Sequence, residues 1–317
     1  MIDINIIRTN KELVKENIKK KFQDQKLPLV DEVEELDKKF RALKQEVDNL
    51  RSLRNTLSGK IPLLMKEKKL DEVEKIKSEV KANNEKISAN EKEIDELSLK
   101  IKKIMLTIPN FIDKSVPIGK DDSQNVEIER FGEPKVPDFE VPYHADILTN
   151  IGGLDKDSAG RTSGTGFYYL IGDAARLHSA MLSYARDYMI DHGFTYCIPP
   201  FMIKSDVVDG VMSFAEMDAM MYKIEGEDLY LIGTSEHSMI GRFKGQLISE
   251  NELPITMTSY SPCFRKEGGA HGLEERGVYR VHQFEKQEMI VLCKPEESMD
   301  WYNKMWQFTV EVFRNMD

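Results

Sequence analysis

A long heptad pattern in the first third of the chain constrains the fold more than any other feature. Apolar residues recur there at alternating steps of three and four, which is the spacing of a coiled-coil seam. The first run contains Val33, Leu36, Phe40, Leu43, Val47, Leu50, Leu57, Ile61 and Leu64. The second contains Val73, Ile76, Val80, Asn83, Ile87, Asn90, Ile94, Leu97, Ile101, Ile104 and Ile108.

The two runs have similar lengths and are separated by a short segment, so they predict an antiparallel helical hairpin. Pro62 disfavours a helix interior, and we therefore expect the turn roughly within 62–71. Two asparagines, Asn83 and Asn90, lie on the seam, where polar residues weaken packing but fix the register. The pattern alone is equally consistent with a dimerising coiled coil that binds no ligand.

The segment 108–124 is rich in Asp, Pro and Gly and breaks the heptad period, so it ends the hairpin. From about residue 125 the pattern changes to short strands and helices, which predicts an α+β fold. We place the domain boundary near Ile112, with an arm at 1–111 and a second domain at 112–317.

Charge is divided unevenly between these parts. The whole chain carries a formal net charge of −10, yet residues 1–110 contain 25 basic and 21 acidic side chains. Phosphate binding depends on local charge, so this asymmetry permits a nucleic-acid contact by the arm without requiring one. The sequence contains no apolar stretch long enough to cross a bilayer, and its three cysteines are widely separated, as expected of reduced thiols in the cytoplasm.

The pattern of residues 256–292 predicts a strand, a polar Gly-rich loop and a returning strand. Alternate residues of a strand share a face, so Arg265 and Glu267 project together. On the returning strand the same face would hold Arg280, His282, Phe284, Lys286 and Glu288. Such a face suits a nucleotide and a zwitterionic substrate, because arginine binds phosphate and an aromatic ring stacks on a base. A surface of exposed salt bridges is the alternative.

Four other segments belong to the second domain. Residues 174–192 form an amphipathic helix closed by Gly193. The following predicted strand, 194–202, carries Pro199 and Pro200, and a proline pair within a strand indicates an edge or an interface. A short strand at 229–232 precedes Thr234 and Glu236, which taken alone favour a helix N-cap over a ligand site. Gly164 and Gly166 favour a plain turn over a phosphate loop, since no lysine follows at the required spacing.

Several of these segments together resemble the seryl-tRNA synthetases, a family of class II aminoacyl-tRNA synthetases. The stretch CFRKEGG…RGVYRVHQFEKQEM resembles motif 2 of the class, and GFTYCIPPFM resembles motif 1. LYLIGTSE is similar to the family's serine-binding element, although Ser235 stands where alanine is common. LRSLRNTLS, within the hairpin, is similar to its tRNA-binding arm.

The resemblance implies that the second domain is an antiparallel class II β-sheet flanked by helices, and it implies roles for individual residues. Arg265, Glu267 and Arg280 would be catalytic, and Thr234, Ser235, Glu236, Arg265 and Glu288 would bind serine. ATP would contact Arg265, Lys266, Glu267, Val281 and Phe284, with Phe284 stacked on adenine. Loop 268–279 would reach toward the tRNA acceptor end, and Pro200 would lie at a homodimer interface. The implied cofactor is ATP with Mg²⁺, and no zinc or other resident metal is expected.

The implied reaction activates serine with ATP to seryl-adenylate and then acylates the 3′ end of tRNA(Ser). We find no motif 3 before the chain stops at Asp317, so we expect an incomplete sheet and weak or no activity from this polypeptide alone. A catalytically dead RNA-binding paralogue remains an alternative. An amino-acid ligase that loads a carrier protein is a further alternative, which the well-formed arm disfavours.

Overall fold

The computed structural model describes residues 2–212, 217, 219–267 and 277–316. It divides into two compact units, residues 1–133 and 134–317. Helices and strands are numbered below in chain order over the described residues.

The first unit is a three-helix assembly in which α1 (Ile4–Lys20) packs beside the long helices α2 (Leu27–Lys66) and α3 (Leu70–Thr107). Its core lies at the base of the hairpin, where Ile7, Val14, Val33, Ile101 and Met105 are buried together. The carboxylate of Asp37 is almost fully buried and binds the Arg8 guanidinium through both oxygens, at 2.6 and 2.8 Å. Helix α1 is therefore joined to α2 by packing and by a charge-assisted pair.

The predicted antiparallel hairpin is confirmed, and every seam position is buried or half-buried. Between its helices the amide nitrogens of Asn83 and Asn90 are buried and have no hydrogen-bond partner among the described residues. The turn occupies residues 67–69, because α2 continues for a turn beyond Pro62. A proline at this exposed position removes one backbone donor, and the surrounding helical bonds are sufficient to extend the helix.

The segment after α3 remains attached to the first unit. Asn17 is buried, donates to the Asn110 carbonyl at 3.2 Å and accepts from the Ile112 amide at 2.9 Å. The compact units separate later, after residue 133, and the domain boundary at 112 remains a prediction from the sequence pattern.

The second unit contains short helices and strands around one larger hairpin. In chain order these elements are α4 (His144–Asn150), β1 (Leu154–Asp155), α5 (Lys156–Thr162), β2 (Tyr169–Leu170), α6 (Asp173–Asp191), β3 (Thr195–Cys197), β4 (Met202–Ile203), α7 (Ser205–Val208), β5 (Tyr230–Leu231), α8 (Ser235–Gly241), β6 (Ile255–Phe264), β7 (Gln283–Leu292) and α9 (Ser298–Arg314).

Strands β6 and β7 pair antiparallel along ten residues each, as the strand-loop-strand reading predicted. Strand β3 pairs with β6 in parallel, which makes this sheet mixed, with order β3-β6-β7 among the described strands. The predicted helix at 174–192 corresponds to α6. Gly193 adopts a φ of 85°, and its amide and that of Phe194 bond back to the helix end, as in a Schellman cap.

The regular strand β7 is shorter than the predicted row of functional side chains. It begins at Gln283, so Arg280 and His282 precede it, although the Arg265 amide still bonds to the His282 carbonyl at 2.9 Å. The predicted strand at 229–232 is likewise reduced to Tyr230–Leu231. Within the described residues, no helix combines the length and apolarity that a bilayer crossing needs.

Candidate active site

The β6–β7 hairpin has two chemically different faces. On one face Ser259, Ser261 and Cys263 lie opposite Glu288, Lys286 and Phe284, respectively. On the other face Glu285 binds His178 at 2.6 Å and accepts a hydrogen bond from Tyr260. Strand periodicity assigns alternate residues to these faces, and only the first face holds the residues predicted to bind serine.

A three-residue polar network lies where β5 leads into α8. The Thr234 hydroxyl donates to Glu288 Oε2 at 2.9 Å, and the Lys286 ammonium donates to the Thr234 oxygen at 3.2 Å. The same ammonium forms an ion pair with Glu288 Oε2. Thr234 also caps α8 by accepting a hydrogen bond from the Glu236 amide. The helix-cap and ligand-site interpretations are therefore compatible, since one hydroxyl forms both contacts.

Buried hydroxyls anchor α8 to the sheet. Ser259 donates to the fully buried Ser235 hydroxyl at 2.7 Å, and Ser238 donates to the Pro200 carbonyl at 2.6 Å. These bonds hold the Thr234 side chain over β7. Pro200 itself is exposed on the surface.

His237 follows Thr234 by one helical turn and is only 7% exposed. Its Nδ1 atom is buried without a hydrogen-bond partner in the described part of the chain. Burial, together with the positive charges of Arg265 and Lys286, lowers the pKa of His237 to about 4, against the opposing effect of Glu288. The imidazole is therefore neutral at physiological pH, and it adds no charge to the network.

Arg265 extends the end of β6 toward this network. Its Nε donates to the Gly233 carbonyl at 3.2 Å, and its guanidinium carbon lies 5.1 Å from the centre of the Phe284 ring. The planar guanidinium thus lies between the loop that leads into α8 and the aromatic ring of β7. This position allows it to bind an anion and Phe284 to bind a flat ring beside it.

His282, which immediately precedes β7, contacts the backbone of Arg265. Its Nδ1 lies 3.0 Å from the Arg265 carbonyl and 2.9 Å from the Tyr222 hydroxyl. The imidazole stacks on Phe167 at 5.2 Å. A side chain at Gly166, whose φ is 82°, would meet the ring at 2.5 Å, which explains why glycine is required in this turn.

Arg280 and Glu267 approach each other across the neck of the hairpin, with 3.3 Å between Nη1 and Oε2. Both line an open cavity of about 720 Å³, together with Val281, Gly166 and Lys156. Val281 is buried, and Glu267 adopts a left-handed backbone with φ of 41°. The Lys266 amide donates to the Met220 carbonyl at 2.9 Å. The cavity therefore contains both cationic and anionic side chains.

The predicted site residues thus form two adjacent groups. Thr234, Ser235, Glu288, Arg265 and Phe284 surround the α8–β7 contact, whereas Glu267, Arg280 and Val281 line the cavity. Glu236 is exposed beside the first group. Most of the predicted loop 268–279 lies outside the described residues, namely 268–276. In the described ranges, no three His, Cys, Asp or Glu side chains are grouped to hold a metal ion.

The sequence analysis assigned no role to His237. It placed Lys286 on the same face as Glu288 but assigned it no function. The signal for His237 was its position three residues after Thr234, which places both on one side of a helix. The signal for Lys286 was its alternation with Glu288 on the strand.

Similarity to known proteins agrees with the fold. Residues 221–316 match the family model of the "tRNA synthetase class II core domain (G, H, P, S and T)", and residues 1–112 match the "Seryl-tRNA synthetase N-terminal domain". The fold and these two matches define a class II aminoacyl-tRNA synthetase.

Two curated relatives and two solved structures identify the family within this class. Serine–tRNA ligases of Methanoculleus marisnigri and Thermococcus sibiricus are 37% and 38% identical over the whole chain, which spans 74% of each relative. The seryl-tRNA synthetase of Pyrococcus horikoshii complexed with ATP matches with a TM-score of 0.88 at 35% identity, over 99% of this chain and 74% of that one. A cytoplasmic serine–tRNA ligase of Naegleria fowleri in complex with AMP gives 0.81 at 29%, over 99% and 72%. The chain belongs to the seryl-tRNA synthetase family.

Proposed function

We propose that this chain is an ATP-dependent serine–tRNA ligase that forms seryl-adenylate and transfers the seryl group to the 3′ end of tRNA(Ser). The observation that carries the proposal is the joint presence of the Thr234–Glu288–Lys286 network and of Arg265 over Phe284 on one sheet face. One group suits a small amino acid with a hydroxyl, and the other suits an adenine nucleotide. Their adjacency suits a reaction between the two ligands.

In this proposal Arg265 binds both the serine carboxylate and the α-phosphate, and it neutralises charge as the carboxylate attacks phosphorus. The carboxylate is already ionised near neutral pH, so the step needs positioning and charge stabilisation and does not need a dedicated base. Phe284 stacks on adenine, and Val281 and Lys266 line the nucleotide site. Arg280 and Glu267 lie beside the phosphates in the 720 Å³ cavity.

Magnesium enters this scheme as part of the substrate complex with ATP. Mg²⁺ usually retains several waters and binds through substrate phosphates and one or two carboxylates. Glu267, which lines the cavity, offers one such carboxylate. This donor set fits a metal delivered with the nucleotide.

Serine itself would be recognised through its ammonium and its hydroxyl. Thr234, Glu236 and Glu288 provide acceptors for these groups, and Ser235 holds Thr234 and Glu236 in place through its bond to Ser259. A site built to bond a hydroxyl rejects an analogue without it, because its partly buried acceptor is left unpaired. Glu288 is therefore the proposed determinant of selection for serine over alanine.

The proposed tRNA partner binds the arm formed by α2 and α3. Arg51 and Arg54 belong to the arm segment that resembles the family's tRNA-binding sequence, and Arg51 is half-exposed although it pairs with Glu91 at 2.6 Å. Filter binding with tRNA(Ser) tests this contact. Arg51→Glu should weaken binding and reduce its salt dependence, because a phosphate contact releases counterions.

We also propose a cytoplasmic homodimer. On α6 the side chain of Leu177 is 63% exposed and that of Met181 is nearly half-exposed. Ile198, which follows β3, is as exposed as Leu177. Exposed apolar side chains of this size favour a protein interface, and Ile198 lies two residues before Pro200. Light scattering should give twice the chain mass, and Leu177→Asp should shift the population to monomer.

The activity is tested with sulfamoyl analogues of seryl- and alanyl-adenylate, which report binding independently of turnover. The seryl analogue should bind at least tenfold more tightly than the alanyl analogue, and Glu288→Gln should remove most of that difference. Equal affinity for both analogues in the unmodified protein would contradict the assignment. Charging of tRNA(Ser) with radiolabelled serine then measures the complete reaction, and tRNA binding without charging would favour an RNA-binding paralogue.

A further inference from the structure

Lys286 occupies the place where an amino-acid ammonium is expected to bind. Its own ammonium donates to Thr234 Oγ1 at 3.2 Å and forms an ion pair with Glu288 Oε2. Both acceptors are the residues proposed above to hold serine. The side chain of Lys286 is 34% exposed and that of Glu288 is 20% exposed, so the pair lies at the mouth of the site.

Counting hydrogen bonds shows that the Thr234 hydroxyl has no remaining capacity. A hydroxyl offers one donor and two acceptor lone pairs. The donor is used by Glu288, and the two lone pairs receive Lys286 Nζ and the Glu236 amide. A substrate ammonium can bond to Thr234 only if one of these donors leaves. The Glu236 amide belongs to the first turn of α8 and cannot leave without unwinding it, whereas Lys286 is a flexible side chain.

The surrounding charges favour such an exchange of one cation for another. His237 is neutral, and the Arg265 guanidinium bonds to the Gly233 carbonyl, one residue before Thr234, so a positive charge already lies near the network. Adding a substrate ammonium while Lys286 stayed in place would bring three cations near one partly buried carboxylate. Displacing Lys286 toward solvent keeps the local charge constant and leaves Glu288 paired throughout.

We propose that Lys286 is an internal competitor that closes the ammonium subsite until the substrate's α-ammonium displaces it. The inference rests on the proposed function, because it takes Thr234 and Glu288 as the serine-binding residues. Ligands without an ammonium, such as 2-hydroxy acids, cannot replace the lysine and are therefore excluded. Lys286 thus determines specificity for the amino group, and it weakens serine binding in exchange.

Two matched variants test this proposal. Lys286→Met removes the charge and keeps an unbranched side chain that is one atom shorter. Lys294→Met is the control, because Lys294 follows the same strand, pairs with Glu250 at 3.6 Å and has a side chain 33% exposed. Calorimetry measures the dissociation constants of serine and of ethanolamine, which carries the ammonium and hydroxyl without the carboxylate. Tryptophan fluorescence verifies that each variant is folded. If Lys286→Met is unstable, Lys286→Gln replaces it in the same measurements.

Lys286→Met should bind serine about tenfold more tightly than the unmodified protein, since the competing ion pair and its hydrogen bond are gone. It should also bind ethanolamine, which the unmodified protein and Lys294→Met should bind at least tenfold more weakly. If the unmodified protein binds serine, an affinity that is unchanged or weaker in a folded Lys286→Met would overturn the inference, and so would a failure of that variant to bind ethanolamine. If neither protein binds serine but Lys286→Met binds ethanolamine, serine is refuted as the substrate and the cation subsite is retained.

Discussion

The buried imidazole of His237 makes the stability of the second unit depend on pH. An exposed histidine has a pKa near 6.5, whereas burial holds the pKa of His237 at about 4. The folded protein therefore keeps this group neutral while the unfolded chain takes up a proton below about pH 6.5. Because the folded pKa is depressed, the group's contribution to stability is complete above the unfolded value and is lost as pH falls toward 4.

The size of the effect follows from the two pKa values. Integrating proton uptake between pH 7 and pH 5 gives a loss of about 2 kcal/mol in the free energy of unfolding from this one group. Ordinary carboxylates titrate mainly below this range, so they contribute little to it. His237→Gln replaces the ring with a neutral amide that does not titrate, and the variant should lack this loss.

Tryptophan fluorescence during urea unfolding reports the unfolding of the second compact unit, which contains His237. The chain has two tryptophans, Trp301 and Trp306, and both belong to α9. The arm contains no histidine, so its helical signal in circular dichroism serves as an internal comparison over the same pH range. If His237→Gln loses as much stability as the unmodified protein between pH 7 and pH 5, the neutral buried imidazole is not the cause and the reasoning is wrong.

Three further predictions concern packing and ion pairing. Gly166→Ala should destabilise the second unit by about 2 kcal/mol in urea unfolding, because its backbone is left-handed and its Cβ would collide with a histidine ring. Gly164 has a φ of 98° and open space around it, so Gly164→Ala should lower the free energy of unfolding by only about 1 kcal/mol. Equal losses in the two variants would show that the collision with the histidine ring is not the cause. Asn83→Leu should raise the melting temperature of the arm, measured by circular dichroism, since it removes a buried amide without a partner; a lower value would show that the amide is satisfied. Asp37→Asn should destabilise the arm by about 2 kcal/mol at pH 7, because Arg8 loses its ionic partner. Hydrogen bonding from Arg8 lowers the pKa of Asp37, so this difference should disappear as pH falls through and below the ordinary carboxyl range, and a difference that persists there would refute the ionic explanation.

The sequence by itself determined the arm and the strand-loop-strand site. Heptad spacing is a local property, since side chains three and four apart share a helix face whatever the rest of the chain does. Val33, Val47 and Leu97 are buried for that reason. Alternation along a strand is equally local, and it correctly placed Lys286 and Glu288 on one face.

Only the tertiary structure decided which partners these side chains meet. Nothing local relates Thr234 to Glu288, which lies 54 residues further along the chain, and only the packing of α8 on β7 joins them. The same packing buries His237 and lowers its pKa. It also allows the Lys286 ammonium to donate to Thr234, which the sequence analysis had predicted to bind the substrate. A pattern of residue types specifies faces and caps, whereas desolvation and hydrogen-bond saturation depend on distant segments that meet only in the folded chain.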